Sequence, residues 1–479
     1  MLDFGISNKT MPKYLLNIGA GLDIPTGDII IGNKGETIIN GGHSQLVAIA
    51  GNGNNYKSSI LHYMNLSAVS RVMEAHETRM TSYDTEVNVS LTRLEHLAKN
   101  FENLPENIIT ESPIWSVTDK AMMDAEDWAN MFFKYAEDKQ KDKASMILCE
   151  PFLDPYTKGP LHMLLPTFAE IDSLSEFESS ATGDVITKDI DSSDTNTAAM
   201  KQGLFKMKFM AQLPRLANAA NIYLSFTAQS GEKVNIATGP AVYNQPAKKL
   251  QYMKQTDNLK GVSSKFYFLI TNLWFAHPAT PLKNQTTKQP EYPLGSDVES
   301  TENELNIVKM TTVRNKTGQS GTTLELVVSQ TNGVQPSLTE FHNIKENGRY
   351  GISGSNLSYA LDLLPEVNLS RTTVRKKIDS NHILRRAINI TLELMQAHIY
   401  LWKLGDSGLL CTPKELYDDI KKLGYDWNIL LNTRGYWTFN QYTNKKPFLS
   451  TIDLLKMRKE KYFPYFLNED KTLKDYYKE

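Results

Sequence analysis

Short apolar runs separated by polar, glycine-rich stretches set the rhythm of the chain from residue 45 to residue 330. Residues 45–50 are one such run, of the kind that makes a parallel strand buried on both faces. A turn rich in Gly and Asn follows over 51–56, and from Lys57 the apolar residues recur at helical spacing. Further strands are predicted over 80–86, ending in the acids Asp84 and Glu86, over 167–172, over 221–229 and over 265–275. Residues 307–316 and 322–330 read as a hairpin-like pair. Between the strands, residues 114–160 hold a long helical segment in which Trp128, Met131, Phe132 and Tyr135 recur at helical spacing and are expected in the core. Residues 204–220 form an amphipathic stretch bearing Lys206, Lys208 and Arg215. The polar segments 175–196 and 230–264 are predicted as loops, and 278–304 as an insertion rich in Pro and Asn. Strands alternating with helical patterns predict an α/β domain with a mainly parallel sheet. Its span is 45–350, after a lead-in of small β-structure over 1–44 that is a possible oligomerisation segment.

Composition changes this picture at one end only. The hydrophobic content of 41% and charged content of 22% are those of a globular protein, and no apolar run is long enough to cross a bilayer. With two cysteines, Cys149 and Cys411, a disulfide scaffold or zinc cage is excluded, and a reducing, cytoplasmic setting is the expectation. Net charge is -2, so overall charge does not predict a nucleic-acid partner. Residues 371–479 nevertheless carry 20 Lys and Arg against 13 Asp and Glu. That predicts a smaller, basic, mostly helical C-terminal domain over 370–479, including a helical module with a wing. Its charge suits either a nucleic-acid backbone or a solvated helix face.

Candidate chemistry concentrates at the first turn. Strand, glycine turn, lysine, hydroxyl and helix make a phosphate cradle, in which backbone N–H groups and the helix dipole converge on one anion. Gly51, Asn52, Gly53, Asn54, Asn55, Tyr56, Lys57, Ser58 and Ser59 nearly meet the pattern G-x-x-x-x-G-K-[ST]; Tyr56 stands in place of the last glycine. Lys57 would reach the β- and γ-phosphates of ATP, and Ser58 would join a Mg²⁺ shell. The competing reading is an ordinary turn with a solvated lysine. Glu86 is a candidate for orienting the attacking water or acting as base, against a plain role near a helix N-terminus. Asp172, at the end of its strand, is the candidate second metal ligand.

Taken together, these residues resemble the RecA-type recombinases, most closely the UvsX-like recombinases of T-even-like bacteriophages, which also have an aromatic before the Lys-Ser pair. The resemblance covers roughly residues 15–350 and implies a RecA-like P-loop ATPase core. It implies that Glu86 is the catalytic glutamate, that Gln229 senses the γ-phosphate, and that Arg314 and Lys316 reach into a neighbouring subunit's ATP. DNA-binding loops would then fall at about 176–198 and 230–262, the first holding Asp184, Asp189, Asp191 and Asp194 against Lys188. The implied activity is DNA-dependent ATP hydrolysis, with ATP and Mg²⁺, in assembly on single-stranded DNA and exchange with homologous duplex DNA. A DnaB-like hexameric helicase, which would want an N-terminal helical domain, and a RecA-like assembly protein without strand exchange remain the alternatives.

Overall fold

The computed structural model describes residues 12–178, 192–232, 252–253, 257–262, 265–294, 304–400 and 408–478. The segments expected as DNA-binding loops lie largely outside the described residues, as do Asp184, Asp189, Asp191 and Lys188, whereas Asp194 and the end of the first segment fall on a helix that begins at Ser192.

In chain order the strands are β1 (Asp28–Ile31), β2 (Thr37–Asn40), β3 (Leu46–Gly51), β4 (Met80–Asp84), β5 (Trp115–Asp119), β6 (Met146–Leu153), β7 (Pro160–Leu164), β8 (Thr167–Asp172), β9 (Ile222–Glu232), β10 (Asp257–Leu259), β11 (Asn272–Ala276), β12 (Thr280–Pro281), β13 (Leu305–Asn315), β14 (Thr323–Ser329) and β15 (Gly333–Val334). The main sheet runs β15-β14-β13-β11-β3-β9-β8-β4-β5, with β10 beside β9 and β12 beside β13. From β11 to β5 all neighbours are parallel, and β13, β14 and β15 extend the other side antiparallel. The expected α/β fold with a largely parallel sheet is therefore present. β3 is the point from which the strand order departs in both directions, and ligands of open α/β sheets collect beyond the carboxyl ends of strands at such a point.

Period-2 alternation divides the sheet between two layers. Val47, Ile49, Phe168 and Tyr223 share a cluster with helix α1 (Lys57–Met73) and with Leu16, Ile18 and Leu22 of the lead-in. Leu46, Ala48, Ala50, Ile171, Leu224 and Phe226 pack on the opposite side with Trp128, Phe132, Phe209 and Leu213. Those last four lie on α3 (Ala125–Lys141) and α4 (Ser192–Ala220); α2 (Leu91–Ala98) packs beside α1. Because the lead-in covers α1 on the side away from the sheet, its residues from Ile60 to Ser70 are all buried and it lacks a polar face.

Several expectations need correction. Residues 265–275 are not one strand: Phe266–Leu269 is a helical turn and β11 begins at Asn272. A short apolar run does not distinguish the two by periodicity alone. The strand ending in Asp84 is not a neighbour of β3, because β9 and β8 lie between them. On α3 the buried stripe is Ala125, Trp128, Ala129, Phe132 and Ala136, whereas Met131 and Tyr135 are exposed. The edge strand β5 and the hairpin β6–β7 were not foreseen, nor was the antiparallel sheet of Ile352–Gly354, Tyr359–Leu361 and Leu364–Leu369.

The C-terminal residues close over the rest of the molecule. One hydrophobic cluster joins Leu305, Val327 and Phe341 to Leu384, Leu416, Leu454 and Phe466, so it crosses the interval 350–370 without interruption. Trp437 donates its indole N–H to the Leu15 carbonyl at 3.0 Å, and buried Glu36 of the lead-in accepts from Gln441 (2.8 Å) and Tyr442 (2.6 Å). The expected wing is absent among the described residues: residues 432–450 run as irregular chain with a single bridge between Arg434 and Phe448. Part of the basic charge is spent internally. Arg375 is buried and bonded to Glu304 at 2.6 Å, and the buried side chains of Arg386 and Arg434 hydrogen-bond to backbone carbonyls of residues 449 and 446.

Candidate phosphate-binding site

At the carboxyl end of β3 the chain turns sharply into α1. A Cβ on Gly51 would meet the Ala276 carbonyl oxygen of β11 at 2.5 Å, so the close approach of the two strands demands glycine there. Asn55 is buried and donates to the same carbonyl at 3.1 Å, fixing the turn to β11. Asn52, Gly53 and Asn54 project at the surface, and the Ser230 hydroxyl of β9 donates to the Asn52 side chain at 2.6 Å. Tyr56 has φ 56° and ψ 21°, a left-handed conformation that glycine adopts without strain. Its hydroxyl accepts from Asn306 of β13 at 2.9 Å, and its ring packs against the core. Tyr56 thus holds, without being glycine, a backbone conformation that glycine favours.

No side chain caps the N-terminus of α1. Lys57, Ser58 and Ser59 form its first turn, where unpaired N–H groups and the dipole favour an anion. The Lys57 ammonium donates to the Asn52 carbonyl at 2.5 Å, folding back over the turn. Burial pulls its pKa below the usual lysine range, opposed by the charges of Asp172 and Glu86, which places both carboxylates within electrostatic reach.

Asp172 ends β8 as expected, whereas β4 stops at Asp84, short of the expected residue 86, and Glu86 lies in the loop after it. Buried Asp84 accepts from the backbone N–H groups of Glu86 (2.9 Å), Asn88 (2.9 Å) and Val89 (3.0 Å), which shapes the loop after β4. Glu86 is exposed there, and Gln229 donates to it at 3.3 Å, so two residues singled out separately in the sequence meet. Glu86 is not the cap of α2: Ser90 is, accepting from the Arg93 N–H at 3.4 Å. Asp172 accepts from Thr227 of β9, while Ser175 accepts from the Gln229 N–H at 2.9 Å. Thr85 and Ser173 exchange hydrogen bonds of 3.1 and 2.7 Å, tying the ends of β4 and β8 together.

No cluster of three or more metal-ligating side chains exists among the described residues. A Mg²⁺ ion bound chiefly by phosphate oxygens and water needs one or two protein oxygens, so the single carboxylate of Asp172 with the Ser58 hydroxyl is a compatible donor set.

Arg314 and Lys316 do not join this site. They reach together toward the short helix Phe266–Leu269, Arg314 donating to the carbonyls of Ile270 (3.3 Å) and Phe268 (3.4 Å) and Lys316 to that of Leu269 (3.0 Å). Arg314 pairs with Leu273 near the start of β11, whereas Gly51 pairs with Ala276 at its end. The basic pair and the phosphate turn therefore occupy opposite ends of the strands, roughly 10 Å or more apart along them.

Besides Asp84, which the sequence already singled out, the polar residues that support the site are ones sequence reasoning missed: Ser82 on β4, Glu170 on β8, and Ser225 and Thr227 on β9. All are at alternate positions of their strands and line the face toward α1, beside Asp172 and Gln229. Their signal was a polar residue every second position in otherwise apolar strands.

No known protein-family model matches this chain, and no curated protein matches it.

Proposed function

We propose that the chain is an ATP-hydrolysing protein of RecA type that works on DNA as a recombinase. The observation that carries this reading is the convergence, beyond the carboxyl ends of β3, β4, β8 and β9, of an uncapped helix N-terminus and Lys57 with Glu86, Gln229 and Asp172. In this reading the α1 N-terminus and Lys57 bind the triphosphate. Ser58 and Asp172 would hold Mg²⁺, which when bound neutralises phosphate charge. Glu86 orients and deprotonates the attacking water, and Gln229, bonded to Glu86, relates the state of the γ-phosphate side to β9 and the residues after it. Arg314 and Lys316, remote from their own chain's turn, are available to a second copy. Assembly on single-stranded DNA, followed by pairing with homologous duplex DNA, is the activity proposed for that array.

Two measurements test the reading. Lys57→Ala should abolish ATP hydrolysis and weaken ATP binding in a chain that still melts cooperatively; unchanged turnover refutes the phosphate site. Electron microscopy with single-stranded DNA and a non-hydrolysable ATP analogue should show helical filaments. Closed six-membered rings would favour a helicase, and unassembled particles would refute both.

A further inference from the structure

Beneath the phosphate turn lies a charged residue that an ordinary sheet core does not need. Glu170 is fully buried. Its carboxylate accepts from His62 Nδ1 at 2.9 Å and Asn65 Nδ2 at 2.7 Å, both on α1, and from Ser82 Oγ of β4 at 2.5 Å. Trp115 of β5 supports Ser82 by donating its indole N–H at 2.6 Å, and Asn65 also reaches Ser225 of β9 at 2.7 Å. One carboxylate thus binds the phosphate helix to β8 and β4 directly, and to β9 through Asn65. Removing a carboxylate from water is costly even when it is well bonded, and apolar replacement of a buried ion pair is often neutral or stabilising. Fixing the register of packed elements is the best-attested use of such a group.

The register in question is set by spacing. Ser58 and His62 are four residues apart and share one face of α1, about one 5.4 Å turn from each other. Asp172 and Glu170 are two apart and share one face of β8, about 6.6 Å along the strand. The His62–Glu170 contact therefore repeats, one step deeper, the pairing that Ser58 and Asp172 would make around a metal.

Resting on the nucleotide reading above, we propose that His62 and Glu170 are positioning residues that hold α1 against β8 so that Ser58 and Asp172 stand at the separation a shared Mg²⁺ requires. Lys57 and the helix N–H groups contact phosphate without the metal. The pair consequently governs the part of nucleotide affinity that Mg²⁺ adds, more than the part that remains without it.

The test is binding of a non-hydrolysable ATP analogue to the full chain with and without Mg²⁺, alongside melting curves. Glu170→Gln keeps the size but sets an amide N–H₂ against the donor of Asn65. It should reduce the Mg²⁺-dependent gain in affinity by about 10-fold or more, as loss of residues that orient metal ligands does, while Mg²⁺-free binding stays near the wild-type value. His62→Gln, which alters the other end of the contact, should shift the same quantity in the same direction. A full Mg²⁺ gain in a folded variant overturns the inference, and so does an equal loss with and without Mg²⁺, which marks a merely structural pair. Failure of both variants to melt cooperatively overturns it as well. If the wild-type chain itself does not bind the analogue, the nucleotide reading falls first, and the inference with it.

Discussion

Tyr56 shows how a side chain substitutes for conformational freedom. A non-glycine residue at φ 56° is strained by roughly 1–2 kcal/mol. The hydrogen bond from Asn306 and the packing of the ring offset that cost by holding the turn from β13. Tyr56→Phe keeps the ring and loses the bond, so the denaturation midpoint should fall by an amount equivalent to about 1 kcal/mol. Tyr56→Gly relieves the backbone but removes the anchor, and nucleotide binding measured by titration should survive it. Abolished binding would show that the ring itself contacts the ligand. Glu86 poses the complementary question of chemistry without shape. Glu86→Gln preserves an acceptor for Gln229 and removes the proposed base, so single-turnover hydrolysis should drop roughly 10²- to 10⁴-fold while analogue binding persists. Normal hydrolysis would move the catalytic group elsewhere.

Elements were legible in the sequence where one signal dominated. The runs at 45–50 and 167–172 became β3 and β8 because buried parallel strands are continuous in apolar character, and the pair at 307–316 and 322–330 became the antiparallel β13 and β14. Residues 265–275 misled because the helical turn Phe266–Leu269 is as apolar as the strand after it, and its end is stabilised by carbonyl contacts with Arg314 and Lys316 from a distant strand. Individual site residues were visible as motifs, but their support was not: a glutamate within an otherwise apolar strand carries no sequence signal of its partners, and it is contacts from α1 and β4 that make Glu170 part of the sheet's polar face. The placement of Arg314 and Lys316 also yields a prediction. Lying at the end of β11 opposite the turn, they can act on a phosphate site only from another copy. Lys57→Ala and the double variant Arg314→Ala/Lys316→Ala should each be inactive alone and regain part of the ATPase rate when mixed, since some interfaces then combine an intact turn with an intact pair. A silent mixture of variants that co-sediment would exclude action across an interface.

At the scale of the whole molecule, the lead-in, α1, the helices Pro336–Glu346 and His382–Tyr400 and the chain over 433–446 meet around a polar cleft of about 470 Å³. Among the acids lining it, Asp23, Glu340 and Glu393 interact with one another. Burial pushes Glu340 up to about 8, helped by the nearby charges of Glu393 and Asp23, and burial pushes Asp23 up to about 7. Burial also pushes Glu393 up; Asn389 donates to Glu340 and Glu393, both at 3.3 Å, and Arg386 lies close enough to oppose the rise of these two. A carboxyl with a folded pKa above its unfolded value near 4.3 binds its proton more tightly in the folded chain. Its stabilising effect is complete below pH 4 and is lost as pH rises through the folded pKa, at up to about 1.4 kcal/mol per pH unit for one group. Raised His62 and Asp453, the latter to about 7, act in the same direction. Lys139, lowered to about 7 by burial, acts in the opposite one. Comparing the wild-type chain with Glu340→Gln cancels those other groups. Between pH 6 and pH 8 the urea midpoint of the wild type should fall more steeply than that of Glu340→Gln, with the two diverging by about 1–3 kcal/mol in unfolding free energy. Parallel pH profiles would mean that Glu340 is ionised in the folded chain throughout, and that Arg386 and Asn389 stabilise its charge more than burial opposes it.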